Sequence, residues 1–144
     1  MEYEPDFAKS FMSRTLEIVA EYDGAYDATL LINCLLGLLV LPKEALLNKI
    51  PAAPVDSLDK WGIQPSSIKN PGKCDYGHQH DLSLRQLVRR MRNAVAHFQV
   101  ESFPKSGDVA GFTFKDRNGF HVELTLLELK QFVVKLSEHL KNAA

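Results

Sequence analysis

The stretch Ser83-Leu84-Arg85-Gln86-Leu87-Val88-Arg89-Arg90-Met91-Arg92-Asn93-Ala94-Val95-Ala96-His97 decides how the fold is read. Its apolar residues Leu84, Leu87, Val88, Met91 and Val95 recur at three- and four-residue steps, the period of an amphipathic helix. Asp81 or Ser83 is placed to cap its start. At ~100° per residue those five side chains share one side, which the core claims. The opposite side carries Arg89, Asn93 and His97 in a row of i, i+4 steps, with Arg85 and Arg92 on one flank, Arg90 on the other and Ala96 among them.

These residue types suit phosphate chemistry. The chain as a whole has 17 Lys and Arg against 18 Asp and Glu, a net charge of -1, so any anion-binding surface must be a local concentration of cations. Guanidinium forks bind phosphoryl oxygens bidentately and stay charged at any ordinary pH. An imidazole with an unperturbed pKa of ~6.5 takes or gives a proton near neutrality, as attack by an RNA 2′-hydroxyl on the adjacent phosphate requires. Asn93, one turn before His97, is suited to orient that ring or a phosphate oxygen. Arg92 and His97, however, lie roughly 140° apart around an ideal helix, a poor clamp in one copy. Two copies about a two-fold axis, brought close by the small Ala96, would combine Arg and His from both helices, so a homodimer is expected.

Working outward, Phe7, Phe11, Ile18 and Tyr22, with Met12 and Val19 beside them, describe the buried face of a first helix. Asp23-Gly24 breaks it, and Asp27 can cap a second helix that ends at Pro42, followed by a short helical piece over Lys43 to Lys49. From Ile50 to Gly72 the density of Pro and Gly predicts an irregular excursion pinned by Trp61. After the motif helix, Phe112 and Phe114, then Asn118-Gly119, then Phe120, Val122 and Leu124 predict a β-hairpin. Thr125-Leu126-Leu127-Glu128 has capping-box spacing and opens a last helix burying Leu129, Phe132, Val133, Leu136 and Leu140. The fold expected is mainly α, a helical bundle with a small β-hairpin before its last helix.

A length of 144 residues with 45% hydrophobic content suits one compact core, hence a single domain over 1–144. Cys34, in an apolar helical run, and Cys74, in a polar loop, do not suggest a disulfide framework, and the acidic Met1 to Asp6 does not resemble a secretory signal. A cytoplasmic setting is expected. The apolar run Ala28 to Leu41 is shorter than the ~18 residues of a membrane helix and is read as core, so no membrane association is expected.

Arg92-Asn93-x-x-x-His97 resembles the Arg-x4-6-His signature of HEPN domains, in the form with Asn after Arg. Ser83 to His97 is similar to the motif helix of bacterial plasmid and defence members. More loosely, the whole chain resembles the family's bundle, in which a motif helix is followed by a short β element and a last helix. The resemblance implies metal-independent endoribonuclease activity at a symmetric dimer interface. Arg92 and His97 match the two defining residues and Asn93 the polar position. It also implies a toxin or defence role with a possible antitoxin protein as partner. In one branch, paired with a nucleotidyltransferase antitoxin, a Tyr two residues after the His is modified; this chain has Gln99 there.

Plainer readings stand beside this one. Arginines on an amphipathic helix commonly form a solvated face, and a His near a helix end commonly caps carbonyls. The expectation is that Arg92, Asn93 and His97 form a catalytic site with Arg85 and Arg89 binding RNA, and that no cofactor is needed. The alternative is a non-catalytic module that uses the same face to hold RNA, a nucleotide or a partner protein. Cys74, Asp75, His78 and His80 have zinc-ligand types, yet no second Cys pair completes a site, and a polar loop near the motif helix is preferred. His121 and His139 are expected to face solvent, and Trp61 to anchor its loop.

Overall fold

The structure, a computed structural model, describes residues 7–24, 27–40, 50–51, 55–73, 82–104 and 106–143. The expected helix over Lys43 to Lys49, the possible cap Asp81 and the Cys74, Asp75, His78 and His80 cluster lie outside them. Four helices are described, α1 (Phe7–Glu21), α2 (Asp27–Val40), α3 (Leu84–Ala96) and α4 (Leu126–Ala143). They are joined by a small antiparallel sheet of β1 (Ile68–Asn70), β2 (Val100–Phe103), β3 (Gly111–Lys115) and β4 (His121–Thr125). The described residues are thus mainly α with one four-stranded sheet.

The last helix organises the whole. Leu129, Phe132, Val133, Leu136 and Leu140 are all fully buried, and α4 packs along α1, α2 and the inner strands. Its start is fixed by the expected box: the Glu128 N–H donates to Thr125 Oγ1, while Glu128 Oε1 accepts from the Thr125 N–H, each at 3.2 Å. The other carboxylate oxygen, Oε2, accepts from the Gln64 N–H at 3.1 Å and the Ser67 hydroxyl at 2.6 Å. One side chain therefore caps a helix and anchors a segment some sixty residues upstream, an arrangement no local pattern reveals.

That segment is not merely irregular. Between Ile50 and Gly72 it forms 3-10 turns at Val55–Trp61 and Pro65–Ser67, then the edge strand β1, which pairs with β4. Trp61 packs half-buried against the core, as an anchor should, and its ring meets the ring of His139 edge-on at 5.2 Å. His139 is therefore not simply solvated.

The expected pair of strands, β3 and β4, is the inner pair of a sheet ordered β1-β4-β3-β2. Asn118-Gly119 lies at their turn, with Gly119 at φ +88°, a conformation that suits a residue without Cβ. Phe114, Val122 and Leu124 point into the core. The strand β2 was not anticipated because Val100-Glu101-Ser102-Phe103 does not alternate; its pairing with β3 supplies the order its sequence lacks.

The face that α1 buries differs from the expected one. Met12, Thr15 and Val19 are buried, whereas Ile18 and Tyr22 are 49% and 39% exposed. The buried stripe is rotated toward Met12 and Val19, and Thr15 is accommodated on it because its hydroxyl donates to the Phe11 carbonyl one turn back. In α2, Leu31, Leu35 and Leu39 are buried and Asn33 is exposed. No helix of the described residues is long and apolar enough to cross a membrane.

Candidate functional site at the end of the motif helix

The helix α3 begins at Ser83, whose hydroxyl accepts the Gln86 N–H at 3.2 Å. Leu84, Leu87, Val88, Met91 and Ala94 are buried, and Val95 packs half-buried beside them. The opposite face is open, with Arg89, Asn93, Ala96 and His97 all exposed. This is the stripe that the 3.6-residue period requires once the apolar side is committed to α2 and β3.

The helix ends in a Schellman arrangement. The Phe98 N–H donates to the Val95 carbonyl at 3.1 Å and the Gln99 N–H to the Ala94 carbonyl at 2.8 Å. His97 is the C-cap residue, its backbone N–H reaching the Asn93 carbonyl at 3.1 Å. The capping is thus done by its main chain, and the imidazole is exposed.

Asn93 and His97 open on a cleft of about 450 Å³ that, among the described residues, Gln99 and the turn residues Asp116, Arg117 and Asn118 also line. Asp116 is committed to structure. Its Oδ1 accepts the N–H groups of Asn118 and Phe120 at 2.8 and 3.1 Å, and its Oδ2 accepts from Arg90 Nη1 at 3.1 Å. With both oxygens engaged and its charge matched by Arg90, it holds the turn rather than acting as a base. Arg117 is the cation that the turn brings to the same cleft as His97. Sequence reading overlooked it, although a cation between Asp116 and Asn118, two residues that favour turns, was the available signal.

The arginines of α3 divide by position. Arg90 is a clamp: besides Asp116 it donates through Nη2 to the Lys73 carbonyl at 2.8 Å. Arg85 is half-buried, and its Nε donates to the Ile50 carbonyl at 2.8 Å, which ties it to the body of the protein. Arg89 is exposed. Arg92 is half-buried, makes contacts of its own, and does not line the His97 cleft. One copy of the chain thus brings Asn93 and His97 together and leaves Arg92 apart. His121, expected to face solvent, is instead half-buried, with Nε2 3.1 Å from Glu123 Oε1.

A family model described as HEPN pEK499 p136 matches residues 1–144, the whole of the sequence. The chain belongs to this HEPN family. No curated protein and no solved structure matches it. The HEPN assignment thus rests on a match spanning the chain, and it agrees with the resemblance that Arg92, Asn93 and His97 carry on α3.

Proposed function

We propose that this HEPN chain is an endoribonuclease that cuts RNA by transesterification, without a metal ion, at a composite site shared by two copies. We further propose that it acts as a toxin or defence effector restrained by an antitoxin protein. The observation that carries the reading is the shared exposure of Asn93 and His97, one turn apart on α3, in one cleft with Arg117.

In this mechanism His97 takes the proton of a 2′-hydroxyl, and O2′ forms a bond to the adjacent phosphorus. The bond from phosphorus to O5′ breaks, and O5′ receives a proton from water, while the imidazolium of His97 returns its own proton to the solvent. The products are a 2′,3′-cyclic phosphate and a 5′-hydroxyl. Arginine stabilises the charge that builds on the non-bridging oxygens, and Asn93 orients the ring or one of those oxygens. The separation of Arg92 from the His97 cleft in one copy supports a role for Arg92 across a two-fold axis, and the exposed Ala96 leaves room for two α3 helices to approach.

The test is incubation with mixed RNA in excess EDTA beside His97→Ala, followed by analysis of product ends. Cyclic phosphates formed by the parent and lost in the variant are expected. Full cleavage by His97→Ala overturns the assignment.

A second reading, a module that binds RNA without cutting it, is favoured by one observation: Arg85 is engaged with the Ile50 carbonyl and Arg92 stands off the cleft, so a single copy holds an incomplete set. It expects Arg89→Ala and Arg117→Ala to weaken RNA binding and flatten its salt dependence, with no product at any protein concentration.

A further inference from the structure

Among the described residues Phe98 is the most exposed large apolar side chain, at 94%, and it directly follows His97. Its backbone is in the left-handed region at φ +56°. The two Schellman hydrogen bonds on either side of it hold that conformation, in a position where glycine or asparagine is the ordinary choice. A bulky aromatic there gains nothing from the fold of one copy: its ring is in water and its backbone is in a conformation that L side chains disfavour. The ring's task therefore lies with something outside the chain.

What lies beside the ring narrows the choice. Phe98 borders a groove of about 240 Å³ that, among the described residues, Gln99, Glu101, Thr113 and Lys115 also line. The groove runs over the outer face of the β2 and β3 pair: Glu101 is opposite Thr113, and the Lys115 N–H donates to the Gln99 carbonyl at 3.0 Å. The inner face of the same strands carries the buried Phe114. The centre of a protein-protein interface is depleted of charge, whereas these walls carry both Glu101 and Lys115. A nucleobase has an apolar face and a polar edge, which matches an isolated aromatic ring flanked by an amide, a carboxylate and a hydroxyl. Gln99 also lines the His97 cleft, so one residue borders both the groove and the cleft.

We infer that Phe98 is the stacking platform for the nucleobase next to the phosphate held at His97, with Gln99 and Glu101 facing the base edge. The cleft bearing His97 and Arg117 takes the phosphate, and the groove takes the base. The inference rests on the RNA-binding part of the reading above, not on cleavage. A base on Phe98 fixes the position of its nucleotide relative to the imidazole, which makes Phe98 and the groove a determinant of where in a sequence the chain engages RNA.

The test uses a short single-stranded 2′-O-methyl RNA of mixed sequence, which has no 2′-hydroxyl to attack and so is not cleaved, carrying 2-aminopurine, whose fluorescence is quenched by stacking, in EDTA. Phe98→Gly, which frees the backbone at the left-handed position while removing the ring, is expected to weaken binding roughly 5- to 150-fold and abolish the protein-induced quenching. Phe98→Tyr is expected to retain both. The oligomeric state of each variant is measured alongside. Undiminished binding and quenching with Phe98→Gly overturn the platform and leave the ribonuclease reading standing. Loss of binding together with dissociation of paired copies makes Phe98 a subunit contact and also overturns it. Failure of the parent protein to bind this RNA overturns the inference, while cleavage of RNA with free 2′-hydroxyls reports separately on the catalytic reading.

Discussion

The guanidinium of Arg90 stands 3.1 Å from the carboxylate of Asp116, and this pair fastens the turn between β3 and β4 to the motif helix. The side chains are only 12% and 7% exposed. The turn it fastens carries Arg117 and Asn118 to the cleft that Asn93 and His97 line, so a buried ion pair on one side of α3 sets the geometry of an exposed site nearby.

Removing one member of such a pair leaves the other buried without a counter-charge. Arg90→Ala is expected to cost about 3 kcal/mol in denaturant-induced unfolding, and Arg89→Ala, on the exposed face one residue earlier, less than about 0.5 kcal/mol. Equal effects of the two substitutions would show that Arg90 is not a clamp.

That contrast also shows what the sequence could and could not reveal. Arg89 and Arg90 are adjacent and carry the same local signal, yet one is solvated and the other is held by a residue 26 positions away. Helix starts were legible because their signals are local: Ser83 caps α3, and Thr125 with Glu128 caps α4. The α4 core stripe was legible for the same reason. The stripe on α1 was displaced because Thr15, polar but satisfied by its own helix, occupies a buried position that Ile18 was expected to share. The strands β1 and β2 escaped notice because three or four residues without alternation become a strand only when β4 and β3 present their edges. Of the site, Asn93 and His97 were readable from helix periodicity, whereas Arg117 enters through a turn whose placement depends on Arg90.

Glu128 offers a second stability test. Its carboxylate receives the Thr125 and Gln64 N–H groups and the Ser67 hydroxyl, so Glu128→Ala removes a cap and strands the buried Ser67 hydroxyl at once. A loss of about 2 to 3 kcal/mol is expected in thermal or denaturant unfolding. A loss below about 0.5 kcal/mol would mean that water replaces these bonds without cost.

Cys34 is half-buried in α2, and desolvation raises its thiol pKa above the ordinary value, because burial disfavours the charged thiolate. In a Cys74→Ser background, alkylation of Cys34 is expected to be slower at neutral pH than that of the unfolded chain. It should rise with pH later than it does for a free thiol. A native rate equal to the denatured rate at every pH would contradict this.

Phe98→Gly separates fold from function. At the left-handed residue that ends α3, glycine removes the conformational penalty and the exposed ring together, so the variant is expected to be more stable than the parent by about 0.5 to 1 kcal/mol. A decrease in stability would show instead that the ring packs onto the body of the protein in solution.

The composite site predicts complementation. With Arg92 contributed by one copy and His97 by the other, neither Arg92→Ala nor His97→Ala should cleave RNA alone. A mixed dimer of the two variants retains one pairing of intact Arg92 with intact His97 across the two-fold axis. After co-refolding in equal amounts, half the dimers are mixed and each keeps one of two pairings, so roughly a quarter of the parent's activity is expected. If Arg92 and His97 instead act within one copy, every pairing in the mixture is broken and no activity returns. Activity from the mixture therefore locates Arg92 across the interface, and silence from it, with an active parent, confines the chemistry to the cleft of a single chain.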